Sequence, residues 1–162
     1  LQTYLPYTSE YEPEQHPGLY FESPKTGVTI MLFRSGEYHL SGGKSIDELY
    51  QTKDWLISSL IEIVSNSDIN ESSFEVRNLV HTANIGQELE LSELAVGFGL
   101  EKTEYNPKQF PGVVYSSEEF EGTFLIFRSG KCILTGCKDM ADVENSFSRL
   151  EKTLSELLEG GN

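Results

Sequence analysis

The stretch YEPEQHPGLYFESPKTGVTIMLFRSGEYHLSGGKS, residues 11–45, lies without a gap over YNPKQFPGVVYSSEEFEGTFLIFRSGKCILTGCKD, residues 105–139. Fourteen of the 35 positions are identical, including Tyr11/Tyr105, Pro17/Pro111, Gly18/Gly112, Thr29/Thr123 and the run Phe33-Arg34-Ser35-Gly36 against Phe127-Arg128-Ser129-Gly130. The offset is 94, residue 11 against residue 105. That is too long for a solenoid unit and indicates two copies of one small domain. The expected boundaries are residues 1–70 for the first copy and 71–162 for the second.

Within each copy a Tyr-x-Pro-x-x-x-Pro-Gly segment reads as a turn-rich loop. In the second copy strands are expected at about 112–117 and 122–128, with Ser-Gly turning the chain tightly into a third at 131–136. A long helix follows in both. Ser45 with Glu48 forms a capping box ahead of Ile46, Leu49, Trp55, Leu56, Leu60, Ile61 and Ile63. Asp139 caps the equivalent helix, which carries Met140, Val143, Phe147, Leu150, Leu154, Leu157 and Leu158 before a fraying Gly160-Gly161-Asn162 tail. The second copy has a front end that the first lacks: a strand over 75–83 and a short helix over 91–98. The counterpart of Asn78 would fall before Leu1, and only LQTYL at residues 1–5 remains of the first copy's leading helix. The first copy therefore reads as truncated at its front.

Alternation divides the strands into two faces. Thr123, Leu125 and Phe127 share one side, with Phe124 and Ile126 on the other. Lys131, Ile133 and Thr135 oppose Cys132 and Leu134. Helices can cover only one face, so the side bearing Leu125, Phe127 and Ile133 is an open apolar surface. Such a surface is completed either by a ligand or by protein, in a sandwich or a dimer.

Composition excludes several classes. No apolar run approaches the length of a membrane span, and no signal-peptide pattern opens the chain. Cys132, Cys137 and three scattered histidines, His16, His39 and His81, form no metal-ligand spacing. Reduced thiols and the missing signal pattern suit a cytoplasmic protein. No nucleophile–base constellation or phosphate-cradling glycine loop is present, so an enzyme is not expected and no cofactor is implied. The charge is unusual: 26 acidic against 12 basic residues, net −14. Acids such as Glu144, Glu151, Glu156 and Glu159 fall in expected helices, so the other face can still be far less acidic.

Asn78-Leu79-Val80, the Pro-x-x-Phe-Pro-Gly segment around Phe110, Leu125-Ile126-Phe127, Ser129-Gly130-Lys131 and Thr135-Gly136-x-Lys138 together resemble the repeat signature of TATA-box-binding proteins. The archaeal members are the most similar, and the likeness runs through the whole chain. It implies an α+β fold: a two-repeat saddle of curved antiparallel sheet with helices on the convex face. It also implies a transcription initiation factor that binds and bends A·T-rich promoter DNA through the minor groove, using apolar wedges, and recruits transcription factor B and, indirectly, RNA polymerase. A nucleoid location follows, or a nuclear one if the source is eukaryotic.

Carried over by position, the resemblance makes Phe110 and Phe127 the wedge pair of the second half. Asn78 and Thr135 would meet base edges, where A·T pairs offer only acceptors. Val80, Leu125 and Ile133 would line the groove, and Arg128, Ser129 and Lys131 would touch phosphates. In the first half Phe33 keeps a wedge position, Arg34 matches Arg128, and Ser41 keeps a hydroxyl where Thr135 stands. The departures cluster there too. His16 replaces a wedge Phe, His39 a β-branched residue, Glu37 a lysine and Glu22 an arginine, whereas the second half departs only at Ser116. Carboxylates facing phosphate are repulsive, so weakened grip by the first half is expected, as in a divergent paralogue. The loop that the resemblance assigns to transcription factor B reads Asn106, Lys108 and Gln109, while the acidic version, Glu12 and Glu14, lies in the first copy. An acidic family member that sequesters transcription factors with little DNA binding is the alternative.

Overall fold

The computed structural model describes residues 17–64, 69 and 73–159. Glu12, Glu14, His16, the LQTYL remnant and the Gly160-Gly161-Asn162 tail lie outside the described residues. The chain divides into two compact units, residues 1–73 and 74–162.

In the first unit three strands, β1 (Gly18–Glu22), β2 (Thr29–Phe33) and β3 (Tyr38–Ser41), form an antiparallel meander, and α1 (Ile46–Val64) packs on one side. Alternation sends Leu19, Phe21, Ile30, Leu32, Tyr38 and Leu40 toward Trp55, Leu56, Leu60 and Ile63 of the helix. The turn between β2 and β3 runs through Arg34, Ser35, Gly36 and Glu37 and is closed by Gly36 N–H donating to Phe33 C=O at 3.0 Å. Gly36 sits at φ +89°, which a side chain would oppose. Gly130 repeats the arrangement at φ +81°.

Among the described residues the second unit is fuller. Its strands are β4 (Leu79–Asn84), β5 (Thr103–Glu104), β6 (Gly112–Tyr115), β7 (Thr123–Phe127) and β8 (Lys131–Cys137), in the antiparallel order β4-β8-β7-β6-β5. Helices α2 (Leu91–Phe98) and α3 (Met140–Glu159) cover one face. Val113, Tyr115, Phe124, Ile126, Cys132 and Leu134 form the core with Leu94, Phe98, Val143, Leu150 and Leu154. Phe120 and Phe124 pack edge-to-face at 5.5 Å, and Phe124 meets Phe147 in the same way at 5.2 Å.

Both long helices begin as the capping residues dictate. Glu48 N–H donates to Ser45 Oγ at 3.2 Å, and Asp142 N–H to Asp139 Oδ1 at 2.9 Å. The Glu48 carboxylate accepts from Lys44 N–H at 2.8 Å, one residue earlier than a capping box would have it.

Three helical positions expected to be apolar contacts are instead exposed: Ile61, Met140 and Leu158. Ile61 and Leu158 adjoin Leu60 and Leu157, and neighbours about 100° apart on a helix cannot both face one sheet. Met140 opens α3 and is not part of the core cluster. Conversely two hydroxyls, Thr52 and Ser146, are fully buried at equivalent positions of α1 and α3. Each donates to the carbonyl one turn back, Glu48 or Asp142, at 2.7 Å. Each also reaches the strand-connecting loop, Thr52 to Thr26 Oγ1 at 2.6 Å and Ser146 to Glu121 C=O at 2.8 Å. Small polar residues sit here because the loop crosses too close for an apolar side chain and brings its own polar groups.

The front strand begins at Leu79, not 75, and runs to Asn84. The register explains its start. Leu79 pairs with Cys137 and Val80 with Thr135, so Gly136 is a bulge with no partner in β4. Gly136 takes φ +98°, and its N–H is satisfied by the Asn78 side chain at 2.7 Å. The strands expected at 112–117 and 122–128 likewise close in to β6 and β7, and that expected at 131–136 extends by one residue in β8.

Candidate nucleic-acid interface

The helix-free face of the second sheet follows from pleat and register. Residues directly opposite in antiparallel strands share a face. One row across the sheet is Thr82, Ile133, Leu125 and Val114; the next is Val80, Thr135 and Thr123. Leu125, Phe127, Ile133 and Val114 are half-buried, and none belongs to the core beneath the helices. Val80 is 59% exposed. The face is therefore apolar with hydroxyls interspersed, in a protein of net charge −14.

At one end of this face Phe110 and Phe127 form a tilted pair, ring centroids 5.7 Å apart. Gly112 makes the pair possible. A Cβ there would come within 3.0 Å of the Phe110 ring, 3.3 Å of Phe127 and 2.8 Å of Ile126 C=O. The Pro-Gly of the repeat is thus a floor for aromatic rings. Gly18 has the same role beneath Phe33 and Met31.

At the other end Asn78 Oδ1 accepts from Gly136 N–H at 2.7 Å and from Thr135 Oγ1–H at 3.2 Å. The carboxamide oxygen is thereby occupied by protein, leaving the NH₂ group as the free end. An amide that presents only donors matches the acceptor-only edge of A·T pairs in the minor groove. Thr135 spends its hydroxyl hydrogen on Asn78 and offers acceptor lone pairs outward.

Cations flank the face. Lys131 is exposed and makes no ion pair among the described residues. Arg128 is exposed but lies 3.3 Å from Glu90, which precedes α2. Ser129 Oγ accepts a long bond from Lys131 N–H at 3.5 Å and stabilises the turn. Asn106 organises the loop before Phe110: its backbone C=O accepts from Gln109 and Phe110 N–H, both at 2.9 Å, and its side chain from Lys108 N–H at 3.2 Å. The Lys108 and Gln109 side chains face solvent.

The first unit carries the equivalent face with different chemistry. Tyr20, Met31 and His39 form the row matching Val114, Leu125 and Ile133; Glu22, Thr29 and Ser41 form the next. Phe33 sits edge-on to His39 at 5.1 Å, and His39 Nε2 lies 3.5 Å from Glu37. Arg34 and Ser41 are exposed. Ser116, at the equivalent of Glu22, is also exposed, and its N–H bonds Lys102 C=O at 3.0 Å. Thr82 and Val114 belong to the open face without having been singled out in the sequence. Extending the alternation from Val80, and the pairing from Leu125, would have found both.

Comparison with known proteins agrees with this geometry. The family model described as "Transcription factor TFIID (or TATA-binding protein, TBP)" matches residues 1–63 and 73–157. The chain is 37% identical over 150 residues to TATA-box-binding protein C of Halobacterium salinarum, covering 93% of this chain and 83% of that one. It is 39% identical over 155 residues to the TATA-box-binding protein of Thermoplasma volcanium, covering 92% and 80%. Among solved structures it is similar to Methanococcus jannaschii TBP, with a TM-score of 0.76, 34% identity, and coverage of 91% of this chain and 83% of that one.

Proposed function

We propose, from the premise that this chain belongs to the TATA-binding protein family, that it is a non-catalytic transcription initiation factor whose second-repeat open face enters the minor groove of A·T-rich promoter DNA. The observation that carries the reading is the row Val114, Leu125 and Ile133 with the Phe110–Phe127 pair: apolar side chains left half-covered beside donor-presenting Asn78. Phenylalanines entering between base steps complete their burial there, and bending opens the groove to them. Deformable pyrimidine–purine steps lower that cost. Lys131, Arg128 and Ser129 hold phosphates. Phe33, Arg34 and Ser41 make the corresponding, weaker contacts of the first repeat. The bent complex recruits transcription factor B through the loop containing Asn106, Lys108 and Gln109, aided by Glu12 and Glu14, and brings RNA polymerase indirectly. The protein then resides with the chromosome.

The test is fluorescence anisotropy with an A·T-rich promoter duplex and a scrambled duplex, across a salt series. The reading requires preference for the A·T-rich duplex, loss of that preference in Asn78→Ala, and a salt slope shallower than expected for a basic protein of this size. Equal binding of both duplexes, or unaltered binding by Asn78→Ala and Phe127→Ala, refutes it. A second reading is favoured by the Glu37–His39 pair on the first-repeat face and the net charge of −14. In it the chain sequesters transcription factors, and neither duplex binds although transcription factor B does.

A further inference from the structure

On the helix side of the second sheet a hollow of about 250 Å³ opens between the end of α2, the β6–β7 loop and the middle of α3. Lys102, Arg149 and Lys152 stand around it. They include both basic residues of α3 and three of the twelve in the chain. Glu119 reaches between two of them, 3.6 Å from Lys102 and 3.7 Å from Arg149. Charge-assisted hydrogen bonds run to about 2.7–2.9 Å, so Glu119 neutralises these cations without bonding either closely. Lys152 has no ion pair among the described residues. Beneath lies Tyr115, stacked on Phe98 at 4.2 Å, with burial holding its phenol above the ordinary range and therefore protonated.

The first copy is an internal control. Arg149 and Lys152 correspond to Trp55 and Ser58, Glu119 to Lys25, and Tyr115 to Phe21. There Trp55 packs edge-on against Phe21 at 6.4 Å, so an aromatic side chain occupies the equivalent place. The same scaffold can thus put an aromatic ring here, and in the second copy it leaves an open, cationic hollow instead.

We infer that this hollow receives an acidic segment of a partner protein, one of whose carboxylates displaces Glu119 from Lys102 and Arg149. Size and charge select that occupant. Pockets for cofactors or drug-sized ligands are usually larger, about 300–1,000 Å³. A liquid-like water takes about 30 Å³, so a lone oxyanion would leave much of the space to solvent, whereas one or two side chains fill it. A DNA duplex presents a continuous row of phosphates to Glu156 in the wall and to the exposed Glu151 and Glu144 of α3, whereas a peptide brings only one or two carboxylates. The site lies opposite the proposed groove face and stands or falls independently of DNA binding.

The experiment follows amide chemical shifts of the full chain during titration with a nonapeptide of alternating Glu and Leu, its Gln/Leu twin, and sodium phosphate. The Glu/Leu peptide is expected to shift the amides of Lys102, Thr153 and Glu156, and the twin to leave them unmoved. Arg149→Gln and Lys152→Gln should each weaken binding by up to about fivefold. Glu119→Gln should tighten it, a change of sign that a merely structural role does not give. Lys53→Gln, at the only basic residue of α1, should change nothing. Shifts with phosphate but not with peptide, peptide binding undiminished in the Arg149→Gln/Lys152→Gln double variant, or no shift with any probe would each overturn the inference.

Discussion

Phe124 and Phe127 lie three residues apart on β7 and point to opposite faces, so truncating each to alanine separates fold from function within a single strand. Phe124 is completely buried and meets both Phe120 and Phe147 edge-on. Phe124→Ala leaves a cavity that should cost about 3–5 kcal/mol of stability. Phe127 is half-buried on the open face, and its ring contact is Phe110. Removing that pair should cost about 0.5–1.5 kcal/mol beyond area burial, and the covered part of the ring about 1–2 kcal/mol more, still below the loss in Phe124→Ala. In a DNA complex the remaining exposed part of the ring, less than half, would be covered. Full burial of a Phe is worth about 1.5–3 kcal/mol, so the lost increment is roughly 0.5–1 kcal/mol, or about 2–5-fold in affinity. Stability is best read by far-UV circular dichroism in urea, because the single tryptophan, Trp55, reports on the first unit alone. Affinity is read by anisotropy on a promoter duplex under conditions where both variants are folded. The expected result is a crossed pattern: Phe124→Ala loses more stability and binds nearly normally once folded, while Phe127→Ala loses less stability and binds more weakly. If Phe127→Ala matched Phe124→Ala in lost stability and bound DNA like the parent, the two-faced reading of the sheet would be wrong.

Glu90→Gln releases Arg128 from an exposed pair worth about 0.2–1 kcal/mol, so promoter affinity should rise roughly two- to fivefold in dilute salt and converge with the parent at high salt; equal affinities throughout would show that Arg128 is not a phosphate contact. Glu37→Lys gives the first repeat the cation that Lys131 supplies in the second, and should steepen the log–log salt slope by about 0.9; an unchanged slope means that the first-repeat turn stays clear of DNA. Burial holds the Cys132 and Cys137 thiols above their ordinary range. The folded protein therefore keeps protons that the unfolded chain sheds above about pH 8.5, and each thiol should withdraw up to 1.36 kcal/mol of stability per pH unit from there until its own folded-state pKa is passed. A Cys132→Ala/Cys137→Ala variant, less stable near neutrality, should show a flatter alkaline decline in urea titrations, and an identical decline would exclude the thiols as its cause.

The duplication, the strand–turn–strand–helix order and the two faces of β7 and β8 were legible in sequence because each rests on local periodicity: glycine at a left-handed turn, side chains alternating across a pleat, a polar cap before an apolar stripe. What escaped depends on register or on contacts distant in sequence. Asn78 could be singled out by resemblance, yet its reason for being asparagine is the bulge at Gly136, 58 positions away. Val114 becomes part of the candidate site only once it pairs with Leu125. The Arg128–Glu90 contact and the Lys102–Glu119–Arg149 bridge join residues that nothing in the linear pattern connects. Thr52 and Ser146 are polar positions within apolar helix stripes, and it is the crossing loop that makes them core residues.

Because one domain occurs twice, each difference between the copies separates what the scaffold requires from what a surface has been free to change. Positions that hold the fold stay alike: the glycine floors Gly18 and Gly112, the turn glycines Gly36 and Gly130, the buried hydroxyls Thr52 and Ser146, the core leucines Leu56 and Leu150. Two surfaces differ in charge between the copies. On the open sheet face Ile133 and Lys131 stand where the first copy has His39 and Glu37; on the helix side Arg149 and Lys152 stand where it has Trp55 and Ser58. In both of these pairs the second copy is the more cationic one, while Glu119, also in the hollow, stands where the first copy has Lys25. On the two proposals made above, the second repeat meets anionic groups on two opposite faces, and abolishing binding at one face should leave the other measurable.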